Sequence, residues 1–246
     1  MALLEIEDVS KSFRGLRAVA GASFTVEPHT ITALIGPNGA GKTTLFNLVA
    51  GVHRPDHGQI RFRGHAIGGL PPHRVCAAGV GRTFQLVKPF AGLTVLDNAI
   101  VGALHDERTI VGARARALVV LGRLGLGDKA SFMASQLTLS DRRRLEVARA
   151  LATRPSLLLL DEMMAGLRPT EIDELVAVLR NVHREEGITI LLTEHVMRAV
   201  MALADQIVVL HHGEVIARGA PASIVRNPAV LECYLGEEAA LDGPGA

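Results

Sequence analysis

Gly36-Pro37-Asn38-Gly39-Ala40-Gly41-Lys42-Thr43 sets glycines, a lysine and a hydroxyl at the spacing G-x-x-x-x-G-K-[ST]. Glycines let the backbone curl until several N–H groups converge on one anion. The chemistry this suits is phosphate binding. Lys42 would reach the β- and γ-phosphates of a nucleoside triphosphate, and Thr43 would offer its hydroxyl to Mg²⁺. Thr44, next in the chain, joins the residues expected to line the nucleotide. An apolar strand, Ile31-Thr32-Ala33-Leu34-Ile35, runs into the loop, and an apolar helical stretch, Thr44 to Ala50, leaves it and is closed by Gly51. Strand, glycine loop and helix together aim a helix N-terminus at phosphate.

A second set of residues fits hydrolysis. Leu157-Leu158-Leu159-Leu160-Asp161-Glu162 reads as a fully buried parallel strand that ends in two carboxylates. Ligands of α/β sheets bind at the C-terminal ends of such strands. Asp161 is placed to help hold Mg²⁺, directly or through water. Glu162 is placed to orient or deprotonate an attacking water.

The elements that must position these groups are legible in part. Leu3–Val9, Ala22–Val26 and Gly58–Gly64 read as strands of an antiparallel sheet beside the phosphate loop. Residues 94–154 read as mostly helical, with helices over Val95–Ala103, Gly112–Leu121 and Arg142–Ala152 and no convincing strand. After residue 156 the pattern becomes β-α-β. The strand Ser156–Leu160 is followed by a helix that starts at Thr170 with a capping-box pattern. Ile172, Leu175, Val176, Leu179 and Val182 give that helix one apolar face, and Gly187 ends it. A strand over Ile188–Thr193, a helix over 196–203, a strand over Gln206–Leu210 and a hairpin at His212-Gly213 complete the pattern. The predicted fold is α/β, a P-loop NTPase core with a mainly parallel sheet, an antiparallel β subdomain and an inserted α-helical subdomain at about residues 88–154. Residues 1–236 form one domain on this reading, and 237–246 a flexible tail.

Composition excludes several alternatives. The chain has 246 residues, is 48% hydrophobic and carries a formal net charge of +1. Near-neutral charge, one Tyr and no Trp argue against a nucleic-acid partner. Cys76 and Cys233 have no metal-ligand spacing and read as reduced thiols. No run approaches the ~20 apolar residues of a membrane helix. Glu5, Glu7 and Asp8 break up the apolar start, which is not a secretory signal pattern. Any membrane role must come through a partner.

With both phosphate-site motifs in place, the chain resembles ABC-type ATPase subunits over nearly all of residues 3–236. The resemblance implies ATP and Mg²⁺ as ligands and assigns further residues. Gln85, in Gly81-Arg82-Thr83-Phe84-Gln85, corresponds to the family's glutamine, which contacts Mg²⁺ or water and senses the transmembrane partner. His195 occupies the slot of the switch histidine near the γ-phosphate. Phe13 matches the adenine-stacking aromatic, although a core phenylalanine on an edge strand fits the same pattern. Ala165-Gly166-Leu167-Arg168-Pro169 matches the loop that faces a second subunit. Here Arg168 stands where many relatives have Asp, and Met163 where they usually have Pro. The signature that contacts ATP on the opposite subunit is Leu-Ser-Gly-Gly-Gln in the family and Leu137-Thr138-Leu139-Ser140-Asp141 here. Leu139 and Ser140 replace both glycines, and Asp141 adds a carboxylate that would compete with phosphate for the helix's positive end. Arg142, Arg143 and Arg144 could offset that charge or simply form a solvated helix face.

Phrases such as Arg82-Thr83-Phe84-Gln85, Leu93 to Asn98, Glu194-His195-Val196-Met197 and Cys233-Tyr234-Leu235-Gly236 are similar to branched-chain amino-acid importers. The resemblance implies an importer subunit, peripheral on the cytoplasmic face of the inner membrane. It would pair with a second ATPase subunit, a paralogue or itself. It would also engage integral permeases and, through them, a periplasmic or extracellular substrate-binding protein. Leu86–Phe90, after Gln85, would dock a permease helix. The alternatives on this reading are the ATPase of a lipid-exporting system and a low-turnover regulatory subunit of a heterodimer.

Overall fold

The computed structural model describes residues 1–83 and 89–241, with 235–241 by backbone alone. Gln85 and Leu86–Lys88 lie outside the described residues. From the N-terminus come strands β1 (Leu4–Phe13), β2 (Leu16–Val26) and β3 (Ile31–Ile35), helix α1 (Lys42–Val49), and strands β4 (His57–Phe62) and β5 (His65–Ala66). Helix α2 (Pro72–Ala77) and strand β6 (Val80–Arg82) follow, then helices α3 (Val95–Ala103), α4 (Ile110–Arg123) and α5 (Leu139–Ala152). Next are β7 (Leu157–Asp161), α6 (Pro169–Glu186), β8 (Thr189–Thr193), α7 (Met197–Leu203), β9 (Gln206–His211) and β10 (Glu214–Gly219), ending with α8 (Pro221–Ile224) and α9 (Pro228–Leu241).

The chain divides into two compact units. One holds Met1–Pro72, Leu191–Thr193 and the chain from Ala204 on; the other holds His73–Ile190 and Glu194–Leu203. The division runs through β8. In the first unit, β2-β1-β4-β5 form an antiparallel sheet whose buried residues, including Leu4, Ile6, Phe24, Ile60 and Phe62, alternate along the strands. The same unit pairs β3 with β9 in parallel and β9 with β10 as a hairpin. All five residues of β3 are buried, as a strand covered on both faces requires.

In the second unit β6 pairs in parallel with β7, Val80 opposite Leu157 and Arg82 opposite Leu159. Neither β6 nor α2 is among the expected elements, since three residues of strand leave no period to read. The described part of 94–154 is helical and contains no strand, only an isolated bridge between Thr94 and Met133. Two helix starts differ from expectation. α5 begins at Leu139 with Thr138 as its cap, three residues before Arg142. α6 begins at Pro169 rather than Thr170: Glu171 Oε2 accepts the Arg168 N–H at 2.9 Å, and proline suits the first helical position.

Candidate active site

The loop between β3 and α1 is built for an anion. Gly41 caps α1 with φ of +102° and, as a glycine, offers no capping side chain. A Cβ at Gly41 would lie 2.2 Å from the Ala18 carbonyl oxygen, so only glycine lets the chain pass there. The turn between β9 and β10 braces the loop. The Gly213 N–H donates to Ala40 O at 2.9 Å, and Gly213 O accepts from Ala20 N–H at 2.9 Å. Lys42 is 6% exposed, and its Nζ donates to Gly36 O at 2.6 Å and Pro37 O at 2.8 Å. The ammonium is thereby folded back across the loop. Thr43 and Asn38 are exposed and Thr44 is half-buried. Phe13, at the end of β1, is 39% exposed, so it is not a core residue. Its ring meets His53 edge-on at 5.1 Å and Lys11 Nζ stands 5.5 Å from its centre.

The second unit gathers the carboxylates. Asp161, the last residue of β7, is 1% exposed and receives Arg82 Nη2 at 3.2 Å. Arg82 comes from β6, the neighbouring strand in this unit. Glu162 has φ of +48°, a left-handed conformation that costs a non-glycine residue roughly 1 kcal/mol and tends to mark functional positions. His195 Nε2–H donates to Glu162 Oε1 at 2.7 Å. An ionised carboxylate only accepts, so the ring proton sits on Nε2. Two expected catalytic residues, thirty-three positions apart, thus meet directly. Glu194, beside His195, is 4% exposed; burial pushes its carboxyl up to about 7, although the backbone N–H groups of Met164, His195 and Val196 hydrogen-bond to it.

The signature segment is placed otherwise than expected. The Thr138 hydroxyl accepts from Asp141 N–H at 3.2 Å and donates to Asp141 Oδ2 at 2.9 Å, closing the start of α5. Asp141 is 6% exposed, and Lys129 Nζ donates to its Oδ2 at 2.5 Å. Its charge is answered by Lys129, so Asp141 does not face outward to compete for phosphate. Ser140 is also buried, leaving Thr138 and Leu139 exposed. The three arginines diverge: Arg142 reaches Ser135 O, Arg144 reaches Glu174, and Arg143 turns inward to Ala165 O. A solvated face therefore does not describe Arg143, which is 6% exposed.

Among the described residues, no three His, Cys, Asp or Glu side chains converge on a metal site. A divalent ion bound with a nucleotide would draw ligands from the phosphates as well, so a converging set of protein carboxylates is not needed for Mg²⁺. Sequence reasoning missed Arg82, Lys129 and Glu194. Only Glu194 left a signal, a carboxylate that continues directly from the buried strand β8.

The fold and the phosphate loop define a P-loop ATPase. The ABC transporter family matches residues 19–165, and a branched-chain amino acid ATP-binding cassette transporter family matches 214–240. The chain is 42% identical over 251 residues to the high-affinity branched-chain amino acid transport ATP-binding protein LivG of Escherichia coli, covering 96% of this chain and 98% of that one. It is 40% identical over 250 residues to BraF of Pseudomonas aeruginosa, a protein of the same description, with the same coverage. An ATP-binding cassette of an ABC transporter solved in its ADP conformation superposes with a TM-score of 0.87 at 28% identity, over 96% of this chain and 99% of that one. A nucleotide-free cassette gives 0.86 at 28%, over 95% and 99%. The chain belongs to the ABC transporter family, as an ATP-binding subunit that hydrolyses ATP.

Proposed function

We propose that this chain drives an importer of branched-chain amino acids or related small substrates. The observation that carries the substrate class is the match at 214–240 to the branched-chain amino acid ATP-binding cassette transporter family, added to full-length similarity to LivG and BraF. Two such subunits would close on ATP and push on membrane-embedded permeases, and hydrolysis would reset them. Among the described residues no helix is long and apolar enough to cross a membrane; similarity to transport ATP-binding proteins supports a peripheral subunit held by permeases on the cytoplasmic face.

The residues divide the work. The Gly36–Thr44 loop binds the phosphates through backbone N–H groups and Lys42, and Phe13 offers its ring edge or face to the base. Thr43 and Asp161, with Gln85 as the family resemblance implies, would hold Mg²⁺, which would offset charge on the phosphates. Glu162 takes a proton from the attacking water, and His195, donating through Nε2, holds that carboxylate and the γ-phosphate in register. At the opposite subunit's ATP, Thr138 and Leu139 are the exposed part of the signature. A side chain at Leu139 keeps the backbone from the close approach glycine allows, so this face supports slow turnover at the partner's ATP.

The test is reconstitution with the permeases and binding protein in liposomes, followed by uptake of labelled leucine. ATP-dependent uptake is expected. ATP turnover with leucine excluded and lipid flipped would favour the lipid-exporter alternative. Replacing the catalytic Glu of each ATPase subunit in turn checks the asymmetry: loss is expected to be larger for Glu162→Gln, and equal losses would refute it.

A further inference from the structure

Helix α5 carries a row of charges that hydrolysis does not use. Arg143, Glu146 and Arg149 recur every three residues and so lie along one side of the helix. Arg143 is 6% exposed and Glu146 3%. Glu146 Oε1 receives Arg149 Nη1 at 2.9 Å, and Arg143 stands three residues earlier on the same side of α5. A buried ion pair is in general a weak contributor to stability compared with apolar side chains of similar volume. The row therefore calls for a role other than holding the fold together.

Both of its ends touch loops. At one end Arg143 Nη2 donates to Ala165 O at 3.3 Å. Glu194 Oε1 in turn accepts the Met164 N–H at 2.8 Å and takes hydrogen bonds from the His195 and Val196 N–H groups. Glu194 thereby brackets the loop after Glu162 to the backbone of His195, the two partners of the 2.7 Å hydrogen bond. At the other end the Arg149 guanidinium lies 4.7 Å from the centre of the Phe90 ring. Phe90 is 45% exposed, and buried Asn98 clamps its backbone, accepting from Phe90 N–H at 2.9 Å and donating to Phe90 O at 3.1 Å.

We propose that Arg143, Glu146 and Arg149 are positioning residues that set the Glu162–His195 pair from the Phe90 segment. A displacement of Phe90 moves Arg149, and the Arg149–Glu146 ion pair carries it along α5 to Arg143 and its contact with Ala165, next to the Met164 N–H that Glu194 holds. Such a row transmits only if every member is present. That a permease supplies the displacement rests on the transporter reading above; the row itself can be tested without it.

The experiment is hydrogen–deuterium exchange on the full chain without nucleotide, read in peptides over residues 162–167 and 194–198. Arg149→Met keeps volume and removes the charge at the Phe90 end. Exchange in both segments is expected to rise about tenfold, with wild-type rates restored in Arg149→Lys. A rise confined to residues 89–98 and α5 would overturn the proposal, as would failure of the Lys variant to restore protection. Glu146→Gln cuts the row at its centre and must show the same remote pattern; it carries the test if the Met variant does not fold. Since no transport is read, a failure of the transporter reading would show separately, as absence of ATP-dependent leucine uptake in the reconstituted liposomes.

Discussion

Replacing Glu194 by Gln removes a carboxyl whose titration the fold has moved. Burial pushes it from its ordinary 4.5 to about 7, and the nearby Glu162 charge adds to the push, against three backbone hydrogen bonds. Between those two values the folded protein keeps a proton that the unfolded chain has released. The contribution of Glu194 to stability is therefore fully present below 4.5, lost as pH rises towards 7, and level above that. At ~1.36 kcal/mol per pH unit the gap is worth roughly 3 kcal/mol. Gln is neutral throughout, and its Oε1 can still accept the Met164 N–H. Urea unfolding of both proteins from about pH 5 to about pH 8 measures the difference directly. The stability of Glu194→Gln relative to wild type is expected to climb by about 2–3 kcal/mol across that range. Curves that stay parallel within about 0.5 kcal/mol would show that Glu194 is not held protonated by burial.

Three further outcomes are expected. Lys42→Ala should lower ATP affinity by orders of magnitude in calorimetry and, because the ammonium is buried on Gly36 O and Pro37 O, cost about 1–3 kcal/mol of stability; unchanged affinity would contradict the loop assignment. Gly41→Ala, with its Cβ 2.2 Å from Ala18 O, should destabilise by more than ~3 kcal/mol, whereas Gly39→Ala, which meets open space, should cost only about 1 kcal/mol for its positive φ; equal losses in thermal melts would refute the close-approach argument. His195→Ala should keep ATP affinity within about threefold while turnover falls at least tenfold, and full turnover would make His195 a surface residue without a role.

The features legible in the sequence are those with local causes. The phosphate loop announces itself by glycine spacing, β7 by four leucines ahead of two carboxylates, and α6 by a single apolar face. α3 runs over the same residues the pattern predicts, Val95–Ala103. Features made by distant pairing were not legible. Arg82 meets Asp161 because β6 lies beside β7, and a three-residue strand has no period to betray it. Thr138 and Asp141 look like parts of a ligand contact until Lys129, twelve residues away, is seen to close on the carboxylate. Arg143 lies between two exposed-looking arginines, and composition alone gives no reason to turn it inward. His195 and Glu162 were each placed by resemblance; their hydrogen bond joins residues thirty-three positions apart, a pairing no local pattern states.

The central claim is that Glu162 activates water for ATP hydrolysis. Its most direct test compares ATP binding and phosphate release by wild type and Glu162→Gln in the assembled complex. The substitution keeps the shape of the side chain and its contact with His195 while removing the base. Nucleotide binding is expected to persist, phosphate release to fall by at least two orders of magnitude, and an ATP-bound dimer to accumulate in light scattering. Phosphate release at the wild-type rate would contradict the account.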